Sequence, residues 1–220
     1  MSLTVTFGLL GFSWLGNFMA SALNFFYDFT NDWALAIILI TVVIRIILTP
    51  LDAKQTKSMK AMQELQPKIE ELKKKYKNDQ QTMQQKTMEL YKENNANPAA
   101  GCLPLLIQMP ILIALYRAIF DLKEQLIHSK FLWIGTLTGG SLAEPDIALV
   151  IITGLVMLGT TYLQQKWMGS STQQNQMMTY IMPLFIIFIG FRLPSGLILY
   201  WVTQNLVMAI QKYFLLRGGS

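Results

Sequence analysis

Between Ala36 and Leu48 every residue is apolar except Thr41 and Arg45, so the chain carries a long greasy run with one charge set inside it. A run of this kind must be buried, either in a protein core or in a bilayer. Crossing ~30 Å of hydrocarbon at ~1.5 Å per residue needs about 20 mostly apolar residues. Four further stretches approach that length, which turns the choice toward the bilayer. The expected spans are residues 31–51, 98–120, 147–166, 178–192 and 197–216. The fourth is short for a span and contains Pro183, whose ring frees a backbone carbonyl that a neighbour must satisfy. Composition agrees: 52% of the residues are hydrophobic and 14% charged, with mean hydropathy +0.36.

Charge then orients the spans. Ten of the eighteen Lys and Arg residues are lysines between Asp52 and Gly101. Basic residues gather on the cytoplasmic side when loops are short. With the N-terminus outside, the inner face receives that segment together with Lys166, Lys212 and Arg217. The outer face keeps Lys123, Lys130 and Arg192, diluted by Asp28, Asp32, Asp121, Glu124, Glu144 and Asp146. The expected topology is N-out and C-in, with an outer loop at 121–146, a cytoplasmic loop at 167–177, an outer turn at 193–196 and a cytoplasmic tail at 217–220. The N-terminus has neither a basic n-region nor a lipobox-like cysteine, so the chain as given is expected to carry no signal peptide or to have lost one.

Two amphipathic regions flank the first span. In residues 1–30, Trp14, Leu15, Phe18, Met19, Ala22, Phe25, Phe26 and Phe29 recur at helical spacing, with Asn17, Ser21, Asn24 and Asp28 between them. That pattern predicts a helix on the outer leaflet, with packing into the bundle as the alternative. Residues 52–97 read as a cytoplasmic αα-hairpin. Met59, Met62, Leu65, Ile69, Leu72 and Tyr76 mark its first helix, and Met83, Thr87, Leu90 and Tyr91 its second after a break at Asn78-Asp79. The Asn94-to-Pro98 stretch ends it. The polar, uncharged residues 169–176 predict a mobile loop.

Arg45 demands an explanation, since an arginine near mid-bilayer costs about 2.5–3.5 kcal/mol on insertion scales. It lies twelve positions after Trp33, ~18 Å along a helix. No Asp or Glu falls within the apolar segments of the expected spans, the first of which runs from Trp33 to Leu51, so Arg45 is expected to face a hydrated cavity, backbone carbonyls or a visiting anion rather than to snorkel. Gln108, Gln164, Gln165, Thr203, Gln204 and Asn205 are the polar residues that can line the same groove. Ordinary interhelical hydrogen bonding remains open for each of them singly.

Cys102 and His128 are the only residues of their kinds, which excludes an internal disulfide and a His-based metal site; no cofactor is expected. No phosphate-binding Gly-rich motif ending in Gly-Lys-Ser/Thr occurs, so no nucleotide hydrolysis is expected. A hydrolase built on Ser195 fails because that serine sits at a turn, His128 has no fixed relation to it, and the spans offer no acidic partner. A channel or transporter with a cationic cavity stays open, although no internal repeat supports it.

Several stretches resemble the YidC/Oxa/Alb family of membrane insertases: Ile44 to Leu51, Leu65 to Ile69, Leu90 to Lys92, Asn97 to Ile111 and Phe191 to Trp201. The resemblance covers residues 12–216, and its most specific part is Asn97 to Ile111. It implies an all-α protein of the bacterial plasma membrane with five transmembrane helices around a hydrophilic groove, open to the cytoplasm and to lipid and closed outside. Arg45 matches the groove arginine, which would hold polar or acidic segments of nascent membrane proteins while their apolar stretches leave along the third and fifth spans. Tyr200 and Trp201 match positions of substrate contact. Recruitment would fall to the hairpin with Met59, Met62, Lys73, Lys74 and Lys75. The expected partners are nascent membrane proteins and the lipid bilayer, with the ribosome, the signal recognition particle pathway and the Sec translocon as candidates, and no small-molecule substrate. The chain departs from the pattern in lacking a large outer domain and a long basic C-terminal tail.

Overall fold

The computed structural model describes residues 13–94, 96–97, 103–134, 140–168 and 173–217. Among them the chain forms nine α-helices: α1 Ser13–Thr30, α2 Trp33–Glu64, α3 Gln66–Lys75, α4 Gln80–Glu93, α5 Leu103–Asp121, α6 Lys123–Leu126, α7 Ile147–Met168, α8 Gln173–Gly190 and α9 Ser195–Arg217. Among the described residues, two stretches are long and apolar enough to cross a bilayer on length and composition, one within α2 and Ile147–Trp167 of α7. Residues 1–12, Asn95, 98–102, 135–139, 169–172 and 218–220 lie outside the described part. They include Cys102, part of the Asn97-to-Ile111 stretch and the first half of the expected 169–176 loop.

Asp32 starts α2 by accepting from the amides of Ala34 at 2.7 Å and Leu35 at 3.1 Å, a side-chain cap on otherwise orphaned donors. Asn31, at φ 53°, turns the chain there, and Tyr27 stacks on Trp33 at 4.1 Å. The helix then runs 32 residues, ~48 Å, more than a bilayer core. The expected boundary at 51/52 is therefore not a helix end. Pro50 removes one amide, yet Ala53, Lys54, Gln55, Lys57, Met59 and Lys60 are strong helix formers and carry the helix on. The break comes at Leu65, with Pro67 in the first turn of α3. The expected first hairpin helix is thus divided between the tail of α2 and α3.

Two other expectations change. Helix α8 begins at Gln173, so part of the predicted polar loop is helical and the fourth apolar segment belongs to an 18-residue helix, ~27 Å long. Helix α1 packs into the bundle along one side. Met19 and Leu23 are buried in the core, whereas Trp14, Phe18, Phe25 and Phe29 stand exposed along it.

α9 is the central helix, packed on α7 and α2; α8 packs on α7, and α1 on α2 and α5. The main core gathers at the end where α2, α7 and α9 begin. Ile37, Leu115, Ile119, Leu126, Ile134, Leu142, Leu197 and Ile198 are all fully buried there. Residues 141–146 close this end, which we call the loop end. Ser195 donates its amide to the Glu144 carbonyl at 2.9 Å, and Gly196 its amide to that of Leu142 at 2.8 Å. The approach is tight at Gly196, where a Cβ would stand 3.1 Å from Ile37 and 3.2 Å from the Leu142 carbonyl and its neighbours would have to give by a few tenths of an ångström. Asp146 takes the Leu149 amide at 2.7 Å and the Trp133 indole at 3.2 Å, capping α7.

The hairpin has its own small core of Leu65, Ile69 and Ala96, flanked by Ala61, Met62, Leu90 and Tyr91. Ser58 and Asn97 join its two strands of chain through the Asn97 amide and the Ser58 hydroxyl at 3.3 Å. We call this the hairpin end of the molecule.

Candidate functional site

Arg45 lies on the face of α2 that meets α9 and is 5% exposed. Its Nη2 donates to Gln211 Oε1 at 2.9 Å and lies 2.9 Å from Asp52 Oδ2. The expectation that Arg45 has no acidic partner is therefore corrected. Asp52 is seven residues on, and ~3.6 residues per turn brings positions i and i+7 to the same face of a helix that does not stop at Pro50. Asp52 lies one residue beyond the expected end of the span at Leu51, but the helix continues through it.

Gln211 completes a clamp between the two helices. Its Nε2 donates to the Arg45 carbonyl at 2.9 Å and to Thr49 Oγ1 at 2.7 Å, while its Oε1 receives the guanidinium. The Thr49 hydroxyl in turn donates to the Arg45 carbonyl at 3.0 Å. A single amide thus holds both the side chain and the backbone of residue 45, which fixes the guanidinium's position across the α2 and α9 seam. A buried guanidinium needs both charge and hydrogen-bond compensation, and the cluster supplies only part of it. Arg45 Nε has no hydrogen-bond partner among the described residues, and Asp52 Oδ2 accepts none despite its close approach. The Arg45 and Asp52 contact is an ion pair by distance without an aligned hydrogen bond.

Beside this clamp, Lys212 Nζ donates to Gln164 Oε1 at 2.7 Å and ties α9 to α7. Lys212, expected among the charges of the inner face, belongs to this polar cluster. Of the other expected groove residues, Gln204 and Asn205 are buried on α9, but Asn205 Nδ2 donates to the Trp201 carbonyl of its own helix at 2.8 Å. Gln108 Nε2 donates to the Tyr200 hydroxyl at 2.6 Å, joining α5 to α9. Tyr200 is 1% exposed and Trp201 half-buried. That pair lies eleven residues before Gln211, ~16 Å nearer the loop end. The expected set therefore divides into an Arg45 and Gln164 group near the hairpin and a Gln108 and Tyr200 group above it.

In the hairpin, Met62 packs on the small core, Met59 is half-buried, and Lys73, Lys74 and Lys75 stand exposed in the last turn of α3, where cations complement the helix dipole. Asp52, Thr49, Gln211 and Lys212 were not among the expected groove residues. A signal did exist: Gln204 and Gln211 are seven apart, as are Arg45 and Asp52, so both pairs mark one helical face. Arg117 was also passed over; its side chain crosses α1 at Gly16, where a Cβ would stand 2.9 Å from Arg117 Cδ.

Residues 25–219 match the family described as 60Kd inner membrane protein. The chain is 44% identical over 211 residues to the membrane protein insertase YidC of Fusobacterium nucleatum subsp. nucleatum, covering 94% of this chain and 97% of that protein. It is 46% identical over 197 residues to the YidC insertase of Oceanobacillus iheyensis, covering 83% of this chain and 74% of the other. Against that of Geobacter sulfurreducens the identity is 40% over 213 residues, covering 95% of this chain but 38% of the other. The fold is similar to a solved structure of an active YidC insertase with its first transmembrane domain resolved, at TM-score 0.70 and 34% identity, over 96% of this chain and 46% of that one.

Proposed function

The chain belongs to the 60Kd inner membrane protein family, and from that premise we propose that it is a membrane protein insertase which holds polar segments of nascent membrane proteins at Arg45 and releases their apolar spans sideways into lipid. The observation that carries this reading is the buried guanidinium clamped by Gln211 near the hairpin, opposite an end of the bundle packed with apolar side chains.

Helices α2, α5, α7, α8 and α9 are the five spans of this reading, with the lysine-rich hairpin in the cytoplasm, the N-terminus outside and the C-terminus inside. The aromatic row of α1 then faces the outer leaflet. A polar segment crossing hydrocarbon unaided leaves groups unsatisfied at several kcal/mol each. Donors and acceptors from Arg45, Gln211, Gln164 and Lys212 would receive it over the inner half of that path. Burial of the client's own apolar span, at ~0.8 kcal/mol per CH₂, supplies the driving force without a nucleotide. Met59 and Met62 with Lys73, Lys74 and Lys75 make the hairpin the element that recruits clients. The ribosome, the signal recognition particle pathway and the Sec translocon are the candidate partners for that step.

The test is reconstitution of the purified chain in liposomes with a single-span client carrying zero, one or two acidic residues in its translocated segment. We expect insertion of the client and no flux of small anions; flux without insertion would favour a channel with a cationic cavity. Arg45→Ala should impair the doubly acidic client most and the neutral one least, and Arg45→Lys should retain more activity than Arg45→Gln, because a point cation still attracts a carboxylate. Equal losses for all three clients would overturn capture by charge and leave the insertase reading in place.

A further inference from the structure

Arg45 does not wait empty for a client. In the structure its guanidinium already faces a carboxylate, and that carboxylate is part of the same helix. Three observations define how it is held. The Arg45 and Asp52 approach is 2.9 Å, yet Asp52 Oδ2 accepts no hydrogen bond and Arg45 Nε donates none among the described residues. Arginine binds a carboxylate best through two parallel bonds from its fork, so the internal partner leaves the better geometry unused. Gln211, by contrast, bonds the guanidinium and the backbone of residue 45 together, so Arg45 stays positioned whatever its anion is.

Charge arithmetic points the same way. Arg45 and Lys212 bring two cations to the cluster against the single carboxylate of Asp52. Lys212, the residue after Gln211 on α9, donates to Gln164 and is the second cation of the cluster. A carboxylate released from Arg45 therefore has a second cation at hand and is not stranded in a dry site, the condition that makes breaking a buried pair so unfavourable.

We infer that Asp52 is a tethered competitor at the client-binding guanidinium: an incoming carboxylate enters by exchange, taking the fork of Arg45 as Asp52 turns toward Lys212. This rests on the charge-capture reading of Arg45 above and adds a residue that sets its selectivity. With Asp52 in place, weakly acidic segments compete poorly and segments able to make the bidentate contact win. Neutral segments have no stake in the exchange.

The test is the same liposome insertion assay, with the chain carrying Asp52→Asn, which keeps the side chain's shape and removes its charge. Insertion of the singly acidic client, divided by that of the neutral client, should rise about threefold to tenfold, within the range that coupled neighbouring residues produce. Asp52→Glu should leave the ratio near its starting value. If Asp52→Asn accumulates poorly in the membrane, Asp52→Ser carries the same expectation. In an Arg45→Gln background, Asp52→Asn should no longer alter the ratio. An unchanged ratio, or an equal change for every client, would overturn the exchange where Arg45→Gln alone still impairs acidic clients more than the neutral one. If Arg45→Gln alone impairs all clients equally, the charge-capture premise falls instead.

Discussion

At the loop end, Ile37, Ile119, Leu142, Leu197 and Ile198 interlock with almost no exposed surface, and the backbone of residues 142 to 146 caps the starts of α7 and α9. At the hairpin end of the same α2 and α9 seam, the space is filled by Arg45, Thr49, Asp52 and Gln211. The loop end is fully buried, whereas Thr49, Asp52 and Gln211 keep part of their surface exposed, and the two ends are held by different physics. Apolar packing is non-directional and proportional to the area buried, so it closes an end once and has no reason to reopen. A polar cluster is directional and partner-specific, so an alternative donor or acceptor can replace one already present. The contrast assigns cohesion to one end of the bundle and exchange to the other.

The largest expected effect tests the cohesive end. Leu142→Ala removes a side chain with no exposed surface and should lower stability by ~2–5 kcal/mol, the usual cost of such a cavity. Thermal unfolding in lipid nanodiscs checks it. Insertion per folded molecule should stay close to normal.

A smaller stability effect with a larger functional one is expected at the other end. Gln211→Leu keeps the volume while removing the clamp, and should cost about 1–3 kcal/mol because the guanidinium and the Arg45 carbonyl each lose one of their partners. Insertion of acidic clients per folded molecule should fall severalfold. If Gln211→Leu destabilised the chain more than Leu142→Ala and left insertion intact, the division between the two ends would fail.

The smallest effect concerns the hairpin, whose α4 has no fully buried residue and meets the hairpin core only through the partly buried Leu90 and Tyr91 among the described residues. Hydrogen bonds from the Thr82 side chain and backbone hold the Asp79 carboxyl below its ordinary value of 3.8. The folded value is depressed, so the cap's contribution is present above the ordinary value and is lost as pH falls through the depressed one. Amide exchange in the first turn of α4 should therefore report fraying only in that acidic window, after correction for intrinsic exchange, with α9 unaffected. Protection in α4 that ignored this titration would show that tertiary contacts hold the hairpin more firmly than its own caps.

Much of this architecture was legible before any coordinates. Apolar runs located the segments of α2, α5, α7, α8 and α9, and Asn78-Asp79 and Asn94 marked the ends of α4 because short polar side chains compete for backbone bonds there. Arg45 stood out because a charge inside an apolar run has to be compensated. The extension of α2 past Pro50 was not legible, since proline lowers helix propensity while the good formers after it and the packing against α9 outweigh that loss. The same error hid Asp52, which shares a face with Arg45 only if the helix continues.

The sequence by itself determined which segments must leave water, which carry the lysines, and that Arg45 needs a partner. Those properties depend on composition and on a helical period of ~3.6 residues, both local quantities. The tertiary structure alone decided the identity of that partner. Gln211 lies 166 residues from Arg45, and Lys212 lies 48 residues from Gln164. Which amide meets which cation depends on how α9 is set against α2 and α7, and that register is fixed by apolar packing at the far end of the bundle, from Gly196 against Ile37 onward.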